Sequence, residues 1–266
     1  MPFALNKSVR IHWQERGAGS PILLVMGHRY SSALWYPLLD ALAERHRVIW
    51  FDNRGTGETD TAKGFTVCDM ADDALAVMDA AGVEKAHIFG VSMGGVIVED
   101  MAVRASERVI SLIVGCSGIL SSEKPRAPAW VRGLYYLPPW LLKLLMPNRR
   151  GNAGYGSAAP ADRIAEDVAM LAKDKSSVPG VVAQAVAIAG HTQTREAIAA
   201  LTLPSLVLHG DEDATVPFIW GEELARTLPN CTFIPLQGAG HNFLVARRKE
   251  TLAALSAFLD RVDATA

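Results

Sequence analysis

A chain of 266 residues with 50% apolar and 20% charged side chains carries enough hydrophobic material for a sizeable core. That composition excludes a disordered or fibrous chain and fits one large α/β domain with an insertion. Lys and Arg total 26 against 28 Asp and Glu, for a net charge of -2. No basic stripe is present to neutralise a phosphate backbone, so nucleic acid is excluded as an expected partner.

In chain order, short apolar runs rich in β-branched residues predict strands at Val9–Trp13, Pro21–Met26, Arg47–Phe51, Ala86–Val91, Val109–Val114, Ser205–His209 and Thr232–Pro235. Helical patterns predict helices at Ala33–Ala43, Val67–Ala81, Met93–Arg104, Phe218–Thr227 and Arg248–Val262. The second of these closes on Gly82 and sets Met70, Ala74, Val77 and Met78 on one stripe, as a helix covering a sheet should. Strands alternating with helices predict βαβ units and a mostly parallel sheet.

The alternation fails from about residue 118 to 202, where seven prolines from Pro125 to Pro179 punctuate helical patches. This predicts a core of residues 1–117 and 203–266 with a helical insertion at 118–202. The insertion carries Trp130, Tyr135, Tyr136, Trp140 and Tyr155, which suits a lid over an apolar pocket. An ordinary helical subdomain packed on itself is the competing expectation. The apolar run Leu134–Met146 is broken by Pro138, Pro139 and Lys143 and is shorter than the roughly 20 residues of a membrane span. No signal-peptide pattern opens the chain, and Cys68, Cys116 and Cys231 lack metal-ligand spacing. Free buried thiols, a cytoplasmic location and no metal are the expectations.

Chemistry concentrates in three loops. Gly90-Val91-Ser92-Met93-Gly94 follows a predicted strand and precedes a predicted helix, the one context in which G-x-S-x-G has mechanical meaning. A sharp turn there forces small residues on both sides and lifts the Ser92 hydroxyl clear of the sheet. Such a hydroxyl needs a base near neutral pH. His241 is the only one of seven histidines in a Gly-rich turn, Gly238-Ala239-Gly240-His241-Asn242. The other strand and strand-flanking histidines, His209 among them, read as structural, and His191 as a residue at the pocket edge. The base needs a carboxylate to orient it, and the loop 210–217 offers Asp211, Glu212 and Asp213.

Residues Gly90 to Gly95, the loop 210–217 and Gly240-His241 together resemble the α/β-hydrolase family in content and in the order serine, acid, histidine. The resemblance implies that fold, with helices flanking the sheet and a helical lid. It also picks Asp213, three residues after Gly210 and three before Val216-Pro217, with Asp211 as the fallback. It further implies an oxyanion hole of two backbone amides, those of Met93 and His28. Where the family shows His-Gly, this chain has Met26-Gly27-His28, which puts the usual bracing of that loop in doubt. His28 and Arg29 are expected to bring polar side chains to the pocket mouth, with a solvated Arg29 as the equal alternative, and Trp130, Tyr135, Tyr136 and Trp140 to line it. The segment Asp52-Asn53-Arg54-Gly55-Thr56-Gly57 resembles a structural motif of the same family.

Serine at the elbow argues against the dehalogenase and epoxide hydrolase branches, which use aspartate. Within the serine branch the chain is similar to the small bacterial group of enol-lactonases, carboxylesterases, cofactor-free perhydrolases and carbon–carbon bond hydrolases. The expectation is a cofactor-free hydrolase, monomeric or homodimeric, acting on a medium-sized, partly apolar ester or lactone through an acyl-enzyme. A non-catalytic ligand-binding or receptor member of the fold, and a lyase using the same serine and histidine, stay open as alternatives.

Overall fold

The structure, a computed structural model, describes residues 2–62, 64–120 and 154–265. Its centre is an eight-stranded sheet in the order β1-β2-β4-β3-β5-β6-β7-β8. The strands are β1 (Phe3–Asn6), β2 (Val9–Arg16), β3 (Ser20–Val25), β4 (His46–Phe51), β5 (Ala86–Val91), β6 (Val109–Gly115), β7 (Ser205–Gly210) and β8 (Cys231–Leu236). From β4 to β8 in that order every pairing is parallel; β1 with β2 and β2 with β4 are antiparallel.

All seven anticipated strands form, and β1 is an addition. Only Ala4 of its four residues is buried, so no alternation announces it. The anticipated helix Ala33–Ala43 divides into a 3₁₀ turn, Ser32–Trp35, and the short α1 (Leu39–Ala43). Pro37 lies between them, and its ring and missing N–H forbid a continuous helix. The other described α-helices are α2 (Val67–Ala80), α3 (Met93–Arg104), α4 (Ala161–Lys173), α5 (Val178–Gly190), α6 (Arg195–Ala199), α7 (Phe218–Thr227), α8 (Phe243–Ala246) and α9 (Arg248–Asp263), and a second 3₁₀ turn spans Ser106–Arg108.

Period-two alternation in the strands feeds two cores. Leu23, Val25, Ile49, Phe51, Ile88 and Val114 meet α2 and α3 through Met70, Val77, Val96 and Met101. Ile22, Leu24, Val48, Trp50, Phe89 and Ile113 turn to the other face and meet Trp35, Leu42, Phe258 and Leu259. A sheet covered by helices on both faces leaves its strand carboxyl ends as the free edge, where the chain leaves β3, β5, β6, β7 and β8 into loops. Between β6 and β7 lie α4, α5 and α6. No described helix is long and apolar enough to cross a membrane.

Candidate active site

β5 delivers Ser92 into a backbone conformation that side chains rarely adopt, φ 55° and ψ -121°. Strain of this kind, on the order of 1–3 kcal/mol, persists only where the surroundings impose it. The Ser92 amide is tied to the Gly115 carbonyl at 2.8 Å. A Cβ on Gly94 would stand 2.0 Å from the Val25 carbonyl oxygen, and one on Gly90 2.1 Å from that of Gly94. The glycines of the elbow are therefore required by close approach of backbone to backbone. α3 starts at Met93, so the Met93 amide is a first-turn donor with no acceptor inside the helix.

His241, in the loop after β8, faces Ser92 with Nε2 at 3.0 Å from Oγ and faces Asp213 with Nδ1 at 2.8 Å from Oδ2. The other Asp213 oxygen, Oδ1, accepts the amides of Thr215 at 2.7 Å and Val216 at 2.9 Å. Burial pushes the Asp213 carboxyl up, but donation from His209 and His241 outweighs it and holds the group far below the ordinary carboxylate range. Asp211 turns outward and accepts the Gly238 amide at 2.6 Å, while Glu212 accepts from the Ser157 amide at 2.6 Å. For His241, burial works downward, while the adjacent Cys116 sulfur and the Asp213 carboxylate work upward. The upward influences win, so its pKa lies above the ordinary histidine value. With Nδ1–H donated to a carboxylate, Nε2 is left to accept a proton from the hydroxyl it faces.

The Gly27-His28 loop passes directly beside Ser92. A Cβ on Gly27 would sit 3.2 Å from Ser92 Cβ and 3.8 Å from its Oγ. Three contacts fix this loop. Asn53 Nδ2 donates to the Met26 carbonyl at 2.8 Å, His28 Nε2 donates to the Val181 carbonyl at 2.9 Å, and the Arg29 amide donates to Gln184 Oε1 at 2.8 Å. The bracing that the missing first histidine of the motif put in doubt is thus supplied from Asn53 and from α5. Asp52 completes the support by accepting the Ser32 amide and hydroxyl at 2.8 and 2.7 Å.

A cavity opens at this edge, lined by Met26, Gly27, His28, Tyr30, Leu34, Val91, Ser92, Cys116, Asp167, Leu171 and residues 241 to 245. Ser92, His241 and Asp213 are brought together by the two hydrogen bonds, with His28 in the same lining as Ser92 and Met93 next to Ser92 in the chain. Arg29 is not in the lining: its backbone is left-handed (φ 71°), its side chain is exposed, and its guanidinium lies over the Tyr30 ring at 5.4 Å. Trp130, Tyr135, Tyr136 and Trp140 lie outside the described residues. His191 ends α5 away from the lining; its nitrogen, Cys68 Sγ and an Asp100 oxygen converge within 4.8 Å. These are metal-type donors, but Arg104 Nη1 stands 3.5 Å from Asp100 Oδ2 and opposes a cation there. The second such convergence, Cys116 with Asp213 and His241, is the Ser92 site itself. All three cysteines are free thiols, of which Cys116 is buried.

Sequence reasoning misses Asp167, Gln184, His209 and Cys116. Asp167 had a visible signal, since it shares a helical stripe with Ile164 and Leu171 where an apolar residue is expected. Gln184 had none.

This fold agrees with comparison to known proteins. The family model described as the alpha/beta hydrolase fold matches residues 20–154, and the chain belongs to that family. A second model, described as TAP-like protein, matches residues 183–263. Among curated relatives, RutD of Azorhizobium caulinodans, named as a proposed carbamate hydrolase, is 30% identical over 250 residues, which cover 91% of this chain and 92% of that one. A thermophilic esterase from Thermogutta terrifontis superimposes with a TM-score of 0.83 at 25% identity, covering 98% of both chains. The enol-lactonase from Burkholderia xenovorans has the same fold, with a TM-score of 0.81 at 23% identity over 97% of this chain and 100% of that one.

Proposed function

We propose that this chain is a serine hydrolase that cleaves a carboxylic ester or lactone of a medium-sized, partly apolar substrate. The observation that carries the reading is the continuous line from Ser92 Oγ through the His241 ring to Asp213, with separations of 3.0 and 2.8 Å. His241 takes the Ser92 proton as Oγ attacks the acyl carbon, and Asp213 stabilises the imidazolium. The amides of Met93 and His28 receive the oxyanion, each donor contributing on the order of 3 kcal/mol to the transition state. His241 returns its proton to the leaving oxygen. A water, deprotonated by the same ring, then releases the acid from Ser92, so the chemistry needs only protein groups and water. The name of RutD extends the bonds worth testing to carbamates, whose carbonyl presents the same geometry to the serine.

The experiment is turnover of p-nitrophenyl esters, lactones and a carbamate, combined with intact-mass analysis after exposure to a fluorophosphonate. Turnover with one adduct on Ser92, lost in Ser92→Ala, is the expected result. A folded protein that neither turns over nor takes the label overturns the reading and favours a ligand-binding role.

A further inference from the structure

α4 buries one residue, and that residue is an aspartate. Asp167 is 3% exposed, while Val168 on the same helix is 38% exposed. An amphipathic helix normally does the reverse, because an isolated carboxylate loses hydration that apolar neighbours cannot replace. Among the described residues no lysine or arginine pairs with it. Its partners are two phenols, Tyr36 to Oδ1 at 3.2 Å and Tyr155 to Oδ2 at 2.7 Å. Burial, reinforced by Asp167, pushes both phenols well above the ordinary tyrosine value and keeps them protonated as donors. Two phenols use two of the roughly four acceptor positions that a carboxylate offers. Asp167 lies in the cavity lining with Leu171, Leu34 and Leu244 and shares that lining with Ser92, so its remaining acceptor positions are open to a group bound there. It is the one carboxylate in that lining among the described residues.

We infer that Asp167 is the substrate-selecting pole of this cavity: it accepts a hydrogen bond from an N–H or O–H group on the part of the substrate away from the reacting carbonyl, and it turns away substrates that would place a carboxylate there. The inference rests on the serine hydrolase reading and names its substrate class. A buried acceptor set among apolar walls discriminates strongly, because a matching donor fills an acceptor position that the two phenols leave open, whereas an apolar group leaves it unfilled and an anionic group is repelled. Arg29, the cation expected at the mouth, is turned outward and supplies no counter-charge for an acid-bearing substrate.

The test compares kcat/KM for three p-nitrophenyl esters of matched length, those of 6-aminohexanoate, hexanoate and the adipate half-acid, in wild type and Asp167→Asn. The asparagine keeps the volume and an oxygen for a tyrosine, so the variant is a fair comparison if α4 needs that contact. The expected wild-type order is amino, then neutral, then carboxylate, and the amino-to-carboxylate ratio falls at least tenfold in the variant. A purely structural clamp between α4 and the two tyrosines would change all three rates by one factor, and an unchanged ratio overturns the inference. So does a wild type that prefers the half-acid. Calorimetric binding of hexylamine and hexanoate to the same two proteins judges the pole without turnover. If no ester is cleaved but the amine binds wild type at least tenfold more tightly than Asp167→Asn, the hydrolase reading fails and the selecting pole stands. Equal binding of the amine by both proteins overturns the pole.

Discussion

Nε2 of His209 stands 3.3 Å from Oδ2 of Asp213, the same oxygen that His241 meets at 2.8 Å. His209 also contacts the Val216 carbonyl at 3.1 Å through that nitrogen. Both neighbours are acceptors, so Nε2 carries the hydrogen, while Nδ1 is buried against Gly221 with no hydrogen-bond partner among the described residues. His209 thus holds the acid in place from behind, as a positioning residue.

Replacing His209 with leucine removes one donor from Asp213 and leaves the Val216 carbonyl unpaired. Stability is expected to fall by about 1–3 kcal/mol, read by urea unfolding. Asp213 then concentrates its charge on His241 and raises that imidazole further, so the acidic limb of kcat/KM moves to higher pH. A stability loss with an unmoved limb would make His209 structural only.

The pH profile of the native protein follows from His241. A base works in its neutral form, and this imidazole lies above the ordinary 6.5 despite burial, raised by Cys116 and Asp213. Activity is therefore expected to climb with pH along a limb centred above 6.5, and Cys116→Ala is expected to bring the midpoint down. A midpoint below 6.5 would mean that desolvation governs the ring. Kinetics from pH 5 to 10 on a neutral ester decides it.

Asp213→Asn is expected to cost about 10⁴-fold in kcat through the wrong histidine tautomer. Asp211→Asn is expected to stay within a few-fold of wild type, because among the described residues the Asp211 carboxylate accepts only the Gly238 amide. Equal losses in the two variants would contradict the assignment of the acid.

How much of this was legible beforehand depends on the range of the contacts. Ser92 and His241 stand out because close backbone approach demands glycines beside them, and glycine is visible in the sequence. Asp213 needed family resemblance, since three carboxylates share its loop and only the fold turns Asp211 and Glu212 away. β1 was missed because an edge strand with one buried residue has no pattern to read. The Arg29 expectation failed for a local reason: a left-handed backbone at that position sends the side chain out over Tyr30. Gln184 and Asp167 act across 155 and 131 positions of chain, on Arg29 and Tyr36, a distance at which no local propensity operates.

Gln184 is fully buried and adds a bridge between two loops: Oε1 accepts from the Arg29 amide at 2.8 Å and Nε2 donates to the Arg54 carbonyl at 2.9 Å. Gln184→Leu keeps the volume and strands one backbone donor and one acceptor out of water, which is expected to cost about 2–5 kcal/mol in urea unfolding. The same change frees the loop that carries the His28 amide, so kcat should fall about tenfold with KM little changed, as a loosened oxyanion donor predicts. Gly27→Ala gives the complementary result. Its Cβ, 3.2 Å from Ser92 Cβ, forces a shift of a few tenths of an ångström beside the hydroxyl and leaves the Gln184 bridge intact. The expected outcome is a loss of kcat comparable to that of Gln184→Leu with a smaller loss of stability. If both variants lose stability but keep kcat, the amide of His28 does not receive the oxyanion.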